Sequence, residues 1–223
     1  SALNAAISGD TIWVAAGTYK PSSSYTLTNI PSYYHFRMKN GVAIFGGFAG
    51  TETDLAERTD FNVGGAHETI FSGDLNGDDN YSVTPWTGNT ENCFHVFYHP
   101  ASLALNSSAI LDGFTIKGGN NNAWGEAGPG GGAMSNYSSS PTLNNLSVIN
   151  NFSLDGGGIF NSSSSPSITN SLIANNKCSV NGGGIHNIYN SSPQFTNLSI
   201  VNNSSAKGGG GVHCYSNSFP VLN

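Results

Sequence analysis

The chain has 223 residues, a net charge of −6 and only 9% charged residues. That balance argues against a nucleic-acid partner, which needs basic residues gathered on one face, whereas the seven here are scattered. No apolar run approaches the length of a membrane helix. Cys93, Cys178 and Cys214 lack metal-ligand spacing and read as small buried residues with at most one pair.

From the N-terminus, Ala2-Leu3-Asn4-Ala5-Ala6-Ile7 before Gly9-Asp10 predicts the end of a short amphipathic helix, placed to cap an open sheet end. The strings TIWVAAGTYK (11–20), GVAIFGGF (41–48), ETIFSGD (68–74), CFHVFYH (93–99) and SAILDGFTIKGG (108–119) read as short strands closed by glycine or polar turns. Excursions occupy residues 49–67, 75–92 and 120–130. At GDLNGDDN (73–80), Asp74, Asn76 and Asp78 match the D-x-N-x-D start of a calcium loop. Asp79 stands where such a loop needs glycine and Pro85 where it needs glutamate, so a solvated turn explains the stretch equally well. Any ion there is expected to be structural. His95, Tyr98 and His99 follow a short strand and are expected to be structural too. Trp124 and Glu126, on the excursion at 120–130, form a candidate ligand-binding pair; the alternative is an aromatic that only closes over the side of the fold.

Residues 120–223 repeat. Gly132-Ala133, Gly158-Ile159, Gly184-Ile185 and Gly211-Val212 end four glycine runs, and Pro141, Pro166, Pro193 and Pro220 follow at matching intervals. Counted from the prolines, Leu143, Ile168, Phe195 and Leu222 share one column, and Val148, Ile173 and Ile200 another. Asn145, Asn170 and Asn197 form a third, and Asn150, Asn175 and Asn202 a fourth. Short apolar strings broken by Gly, Pro and Asn rule out helical repeats. A unit of about 26 residues suits a parallel β-helix, whose turns hydrogen-bond at a spacing of roughly 4.8 Å. Glycine then permits close approach, and asparagine tolerates the left-handed region and stacks on its own kind.

Counting from the last glycine of each run places Met134, Phe160, His186 and His213 in one column, which strand alternation points outward. Phe160, His186 and His213 are therefore candidate ligand contacts; the blander expectation packs that column beneath Ser-rich loops. Beyond residue 130 the acids reduce to Asp155 and the strong bases to Lys177 and Lys207, so no catalytic residue is assigned.

GDTIWVAAGTYKP, FRMKNGVAIFGGFAGTET, TIFSGD, LDGFTIKGG and GGGIFN…SPSITNSLIANN resemble bacterial right-handed parallel β-helix proteins of the pectate-lyase-like superfamily. The GG-apolar-apolar elements are similar to chlamydial polymorphic outer-membrane repeats, with Ile200-Val201-Asn202-Asn203 in place of the Phe-x-x-Asn partner. The resemblance implies an all-β, right-handed parallel β-helix (solenoid) with a short N-terminal capping helix. It would form a single domain over 1–223, irregular over 1–119 and regular over 120–223, as a piece of a longer chain. Together with the low charge and the repeats that lack catalytic residues, it leads to the expectation of a non-catalytic extracellular module, a stalk or adhesin-like surface protein that meets glycans or a neighbouring or host cell, with no cofactor unless calcium. The alternatives are a carbohydrate-active or glycan-binding β-helix and a fibre subunit that associates end to end.

Overall fold

A computed structural model describes residues 2–25, 29–122, 128 and 130–223; Trp124 and Glu126 lie outside them. The protein is all-β, and its sheets are parallel. In the largest, Ile110–Asp112, Thr142–Asn144, Ser167–Ala174, Gln194–Val201 and Val221–Leu222 each pair with the next. Thr69–Ser72, Thr115–Lys117 and Ser147–Ile149 form a second track, which joins the first at Ser167–Ala174. A second sheet runs through Phe97–His99, Met134–Tyr137, Ile159–Ser162, Ile185–Ile188 and Val212–Cys214. A third runs through Asn120–Asn121, Phe152–Ser153, Lys177–Cys178 and Ser204–Ser205.

The apolar columns expected from the prolines are present as neighbours. Leu143, Ile168, Phe195 and Leu222 stack in register, as do Val148, Ile173 and Ile200. Burial is complete at Leu143, Val148, Ile168 and Ile173, and it thins until Leu222 is 77% exposed. At the other end the helix Ala2–Ala5 lays Leu3 on the core, and Ala6 is buried. Lys39 Nζ donates to the Asn4 and Ala6 carbonyls, both at 2.9 Å, satisfying acceptors that a helix C-terminus leaves open. Among the described residues no helix is long and apolar enough to cross a membrane.

The paired asparagines divide their labour. Asn150, Asn175 and Asn202 have φ of 55°, 56° and 54°, and Asn145, Asn170 and Asn197 have 50°, 50° and 52°. These are left-handed turns, which asparagine tolerates better than other residues with a side chain. The second asparagine of each doublet points inward and bonds up the stack: Asn151 Nδ2 reaches Asn176 Oδ1, and Asn176 Nδ2 reaches Asn203 Oδ1, both at 3.0 Å. A second ladder, buried from His99 to Asn187, runs from His99 Nδ1 to Asn136 Oδ1 at 2.7 Å, then through Asn161 and Asn187 to the exposed Cys214 thiol. Serines make a third, in which the Ser139, Ser164 and Ser191 N–H groups donate to Ser164, Ser191 and Ser218 Oγ. Buried polar groups are tolerated when each is satisfied, and here the partner is the homologous residue one repeat away.

Two features differ from the sequence expectation. Met134 pairs with Ile159 rather than standing in line with Phe160, because Ala133 occupies the place of a last glycine, facing Gly158. The glycine runs therefore step by 25, 26 and 27 residues through Gly132, Gly157, Gly183 and Gly210. Part of that drift is absorbed in the connector. Single left-handed residues at Ser138 and Ser163 become doublets at Tyr189-Asn190 and Ser216-Asn217, so the serine ladder keeps its register.

Burial holds the His99 imidazole down to about 4 and the His35 imidazole down to about 3. Their folded values lie below the ordinary one of about 6.5, so the unfolded chain binds protons that the native state refuses. Stability is thus undiminished above about pH 6.5 and is lost as the pH falls toward 4, with a slope approaching about 2.7 kcal/mol per pH unit for the two groups together. Urea unfolding from about pH 7 to about pH 5 checks this; His99→Gln should halve the slope, and a flat profile contradicts it.

Candidate functional site

The predicted column of Phe160, His186 and His213 does line up on the second sheet, joined by Ser135 and Tyr98. Alternation sets it opposite Ile159, but it is not an exposed stripe: Phe160 is 1% exposed and His186 5%. The cover is the glycine backbone. A Cβ at Gly130 would sit 2.3 Å from the Phe160 ring, and one at Gly182 would sit 2.8 Å from His186 Cβ. Phe160 and His186 consequently offer a ligand no open face, whereas His213 in the last repeat is partly exposed. Asp155 brings an acid to the histidines, with Oδ1 3.4 Å from His186 Nδ1, while accepting from the Asn181 N–H at 3.0 Å. The His186 and His213 rings lie 4.8 Å apart, and burial followed by the His186 charge lowers the His213 pKa.

A more open arrangement forms where the excursion at 75–92 lies against the third sheet. Asn120, Phe152 and Lys177 form adjacent steps of that sheet, so Lys177 belongs to a strand rather than to a turn. Trp86 lies over them, with Lys177 Nζ 4.0 Å from its ring centroid. Together with Asn89 and Asn122 these residues line a cleft of about 410 Å³. Two hydrogen bonds hold the excursion there: Asn120 Nδ2 to the Asn89 carbonyl, and Asn92 Nδ2 to the Gly118 carbonyl. Among the described residues Lys177 has no carboxylate within ion-pair distance.

Comparison with known proteins gives no match. No protein-family model, curated protein or solved structure corresponds to the chain. The arrangement of its own residues is what carries a functional reading.

The aspartates of the calcium-like stretch sit on the same excursion. Asp74 accepts from the Gly77 and Asp79 N–H groups, and Asn76 Oδ1 accepts from the Asp78 N–H at 3.1 Å. The third carboxylate to join Asp74 and Asp78 is Asp79, and ligand atoms of the three lie within 4.8 Å of one another. Asp79 also accepts from Tyr81 Oη and, at 2.9 Å, from Asn92 Nδ2. Burial first, then the Asp74 and Asp78 charges, raise its pKa against those hydrogen bonds. The cysteines are all free, and burial pushes the Cys178 thiol up to about 11, which leaves it protonated and unreactive near neutrality. The cleft escaped sequence reading because Trp86 and Lys177 lie far apart in the chain, with no local pattern to join them.

Proposed function

We propose that the chain is a right-handed parallel β-helix acting as a non-catalytic module of a secreted or surface protein, a stalk or adhesin-like element. The observation that carries this reading is the in-register pairing of each repeat with the next across three parallel sheets. Such pairing builds length while leaving the polar side chains of the repeats engaged with one another. Asp155 Oδ1 accepts from the Asn181 N–H and lies 3.4 Å from the buried His186, and Lys177 rests on Trp86, an arrangement that favours structural roles over acid–base work. Incubation with a panel of neutral and acidic polysaccharides should release no reducing or unsaturated ends; steady release from any polymer contradicts the proposal.

The Trp86 cleft favours a second reading, glycan binding. An indole, a phenyl ring, three amides and an ammonium with no carboxylate partner among the described residues match a saccharide that carries a carboxylate. Its C–H faces would pack on the rings, its hydroxyls would meet the amides, and its charge would draw Lys177 off the indole. On a glycan array, carboxylated ligands should bind, and Trp86→Ala and Lys177→Ala should each weaken them by about tenfold or more. Binding that both variants leave intact would remove the cleft from the account, and an array with no ligand at all leaves the stalk alone.

A further inference from the structure

Three features of Asp74 and the excursion at 75–92 that follows it point the same way. First, Asp74, Asp78 and Asp79 converge within 4.8 Å, and Glu91 adjoins Asn92, whose side-chain amide is hydrogen-bonded to Asp79. Second, among the described residues three acceptor oxygens around them are buried without a hydrogen-bond partner: Asp79 Oδ1, Glu91 Oε1 and Asn92 Oδ1. Asn92 is only 3% exposed, and the amide that carries the orphan oxygen lies against the cluster, its Nδ2 on Asp79 Oδ2. Third, among the described residues no basic side chain pairs with them. Lys20 comes beside the loop, 3.3 Å from where a Cβ of Gly77 would stand, yet among the described residues no ion pair joins it to the aspartates.

Buried acceptors without donors, set among like charges, are costly unless a cation completes them. We infer that Asp74, Asp78, Asp79, Glu91 and the Asn92 side-chain carbonyl bind one calcium ion. All the donors are oxygens, which suits a hard cation and disfavours zinc or copper. The set can supply much of the six- to eightfold coordination calcium takes, and its irregular loop suits calcium better than the strict octahedron of magnesium. The inference goes beyond the module reading and does not depend on it. It differs from the D-x-N-x-D pattern in resting on Asp79 and on Glu91 and Asn92 from the far side of the excursion. The ion would fasten that excursion beside the Trp86 cleft.

The test is titration of the purified protein with calcium alone and with terbium as its luminescent stand-in. Calcium should raise Tm and saturate at one site, while magnesium at equal concentration does less. Asp78→Asn and Glu91→Gln should weaken calcium by at least about tenfold, as expected when ligand charge is removed. Asp78 makes no side-chain hydrogen bond among the described residues, so its variant should keep the native circular dichroism. Should either variant fail to fold, Trp86→Phe decides the location. Trp86 lies 5.2 Å from Tyr81, which bonds to Asp79, so this variant should retain calcium affinity but dim terbium emission excited through the indole. Absence of calcium binding through the millimolar range overturns the inference. So does binding that both carboxylate variants leave intact, or terbium emission that Trp86→Phe leaves unchanged.

Discussion

Replacing Asn176 with alanine destabilises the protein by about 3 to 4 kcal/mol, the sum expected for two or more buried groups left without partners plus a small cavity. Asn176 is fully buried and central to its ladder. Its Oδ1 takes the Asn151 N–H at 3.1 Å and Asn151 Nδ2 at 3.0 Å, and its Nδ2 gives to the Val148 carbonyl at 2.9 Å and Asn203 Oδ1 at 3.0 Å. Water cannot replace these contacts inside the stack. Asp is no better, since a carboxylate cannot donate to Val148 or Asn203. The informative control is Asn170, of the same residue type but exposed and left-handed at φ 50°. There alanine costs about 1 kcal/mol, for the backbone conformation and one solvent-exposed hydrogen bond from Asn197 Nδ2 at 2.8 Å, and glycine costs less. Urea unfolding of the variants checks the contrast; equal losses at 170 and 176 would mean that the ladder contributes nothing beyond the turn.

The second large effect comes from a single methyl group. Gly157 does not have positive φ, so its requirement is space. A Cβ there would stand 2.4 Å from the Lys177 carbonyl oxygen and 2.5 Å from that of Gly183, both on the backbone of the next repeat. Gly183 faces the Ser204 and Gly210 carbonyls in the same way, at 2.4 Å and 2.5 Å. Backbone in a hydrogen-bonded sheet cannot yield as a side chain can. Gly157→Ala should therefore cost about 3 kcal/mol or more, at the upper end of overpacking effects. Gly211→Ala, in the last repeat, would meet only the Ile200 side chain at 3.4 Å and should cost under about 1 kcal/mol. Thermal unfolding of the two variants side by side measures the difference; equal tolerance would contradict the close approach of the repeats at this corner.

Much of the architecture could be read from intervals between prolines, because a proline that opens each strand marks the same point of every repeat. Leu143, Ile168 and Phe195 fall in register for that reason. Counting from the glycines failed at the first run, where Ala133 is small enough to stand in a glycine's place. The asparagine ladders were anticipated in kind, and Asn197 Nδ2 does donate to Asn170 Oδ1 within a predicted column, but the buried ladder runs through the second asparagine of each doublet. Alternation from the inward Val148 puts Asn150 inside and Asn151 outside; the left-handed turn at Asn150 breaks the alternation and swings Asn151 into the core. The Phe160 column shows the converse. Its direction was legible, but its cover was not, since glycine backbone folding over a ring leaves no mark in hydropathy. At the acidic loop, Asp74 and Asp78 were visible from local spacing. Asp79, Glu91 and Asn92 depend on how the excursion closes, which no short motif encodes.

Stacking of successive repeats in register underlies all of this, and continuous-wave electron paramagnetic resonance tests it most directly. Thr169 and Thr196 pair one repeat apart, and Asn144 pairs with Thr169 on the other side. Nitroxides are placed by Thr169→Cys and Thr196→Cys in a Cys214→Ser background, where the remaining Cys93 and Cys178 are buried. Labels at 169 and 196 should show strong dipolar broadening from a backbone spacing of about 5 Å, and labels at 144 and 196 weaker broadening from about twice that. A 169/196 spectrum equal to the sum of the two single-label spectra would contradict the stacked repeat.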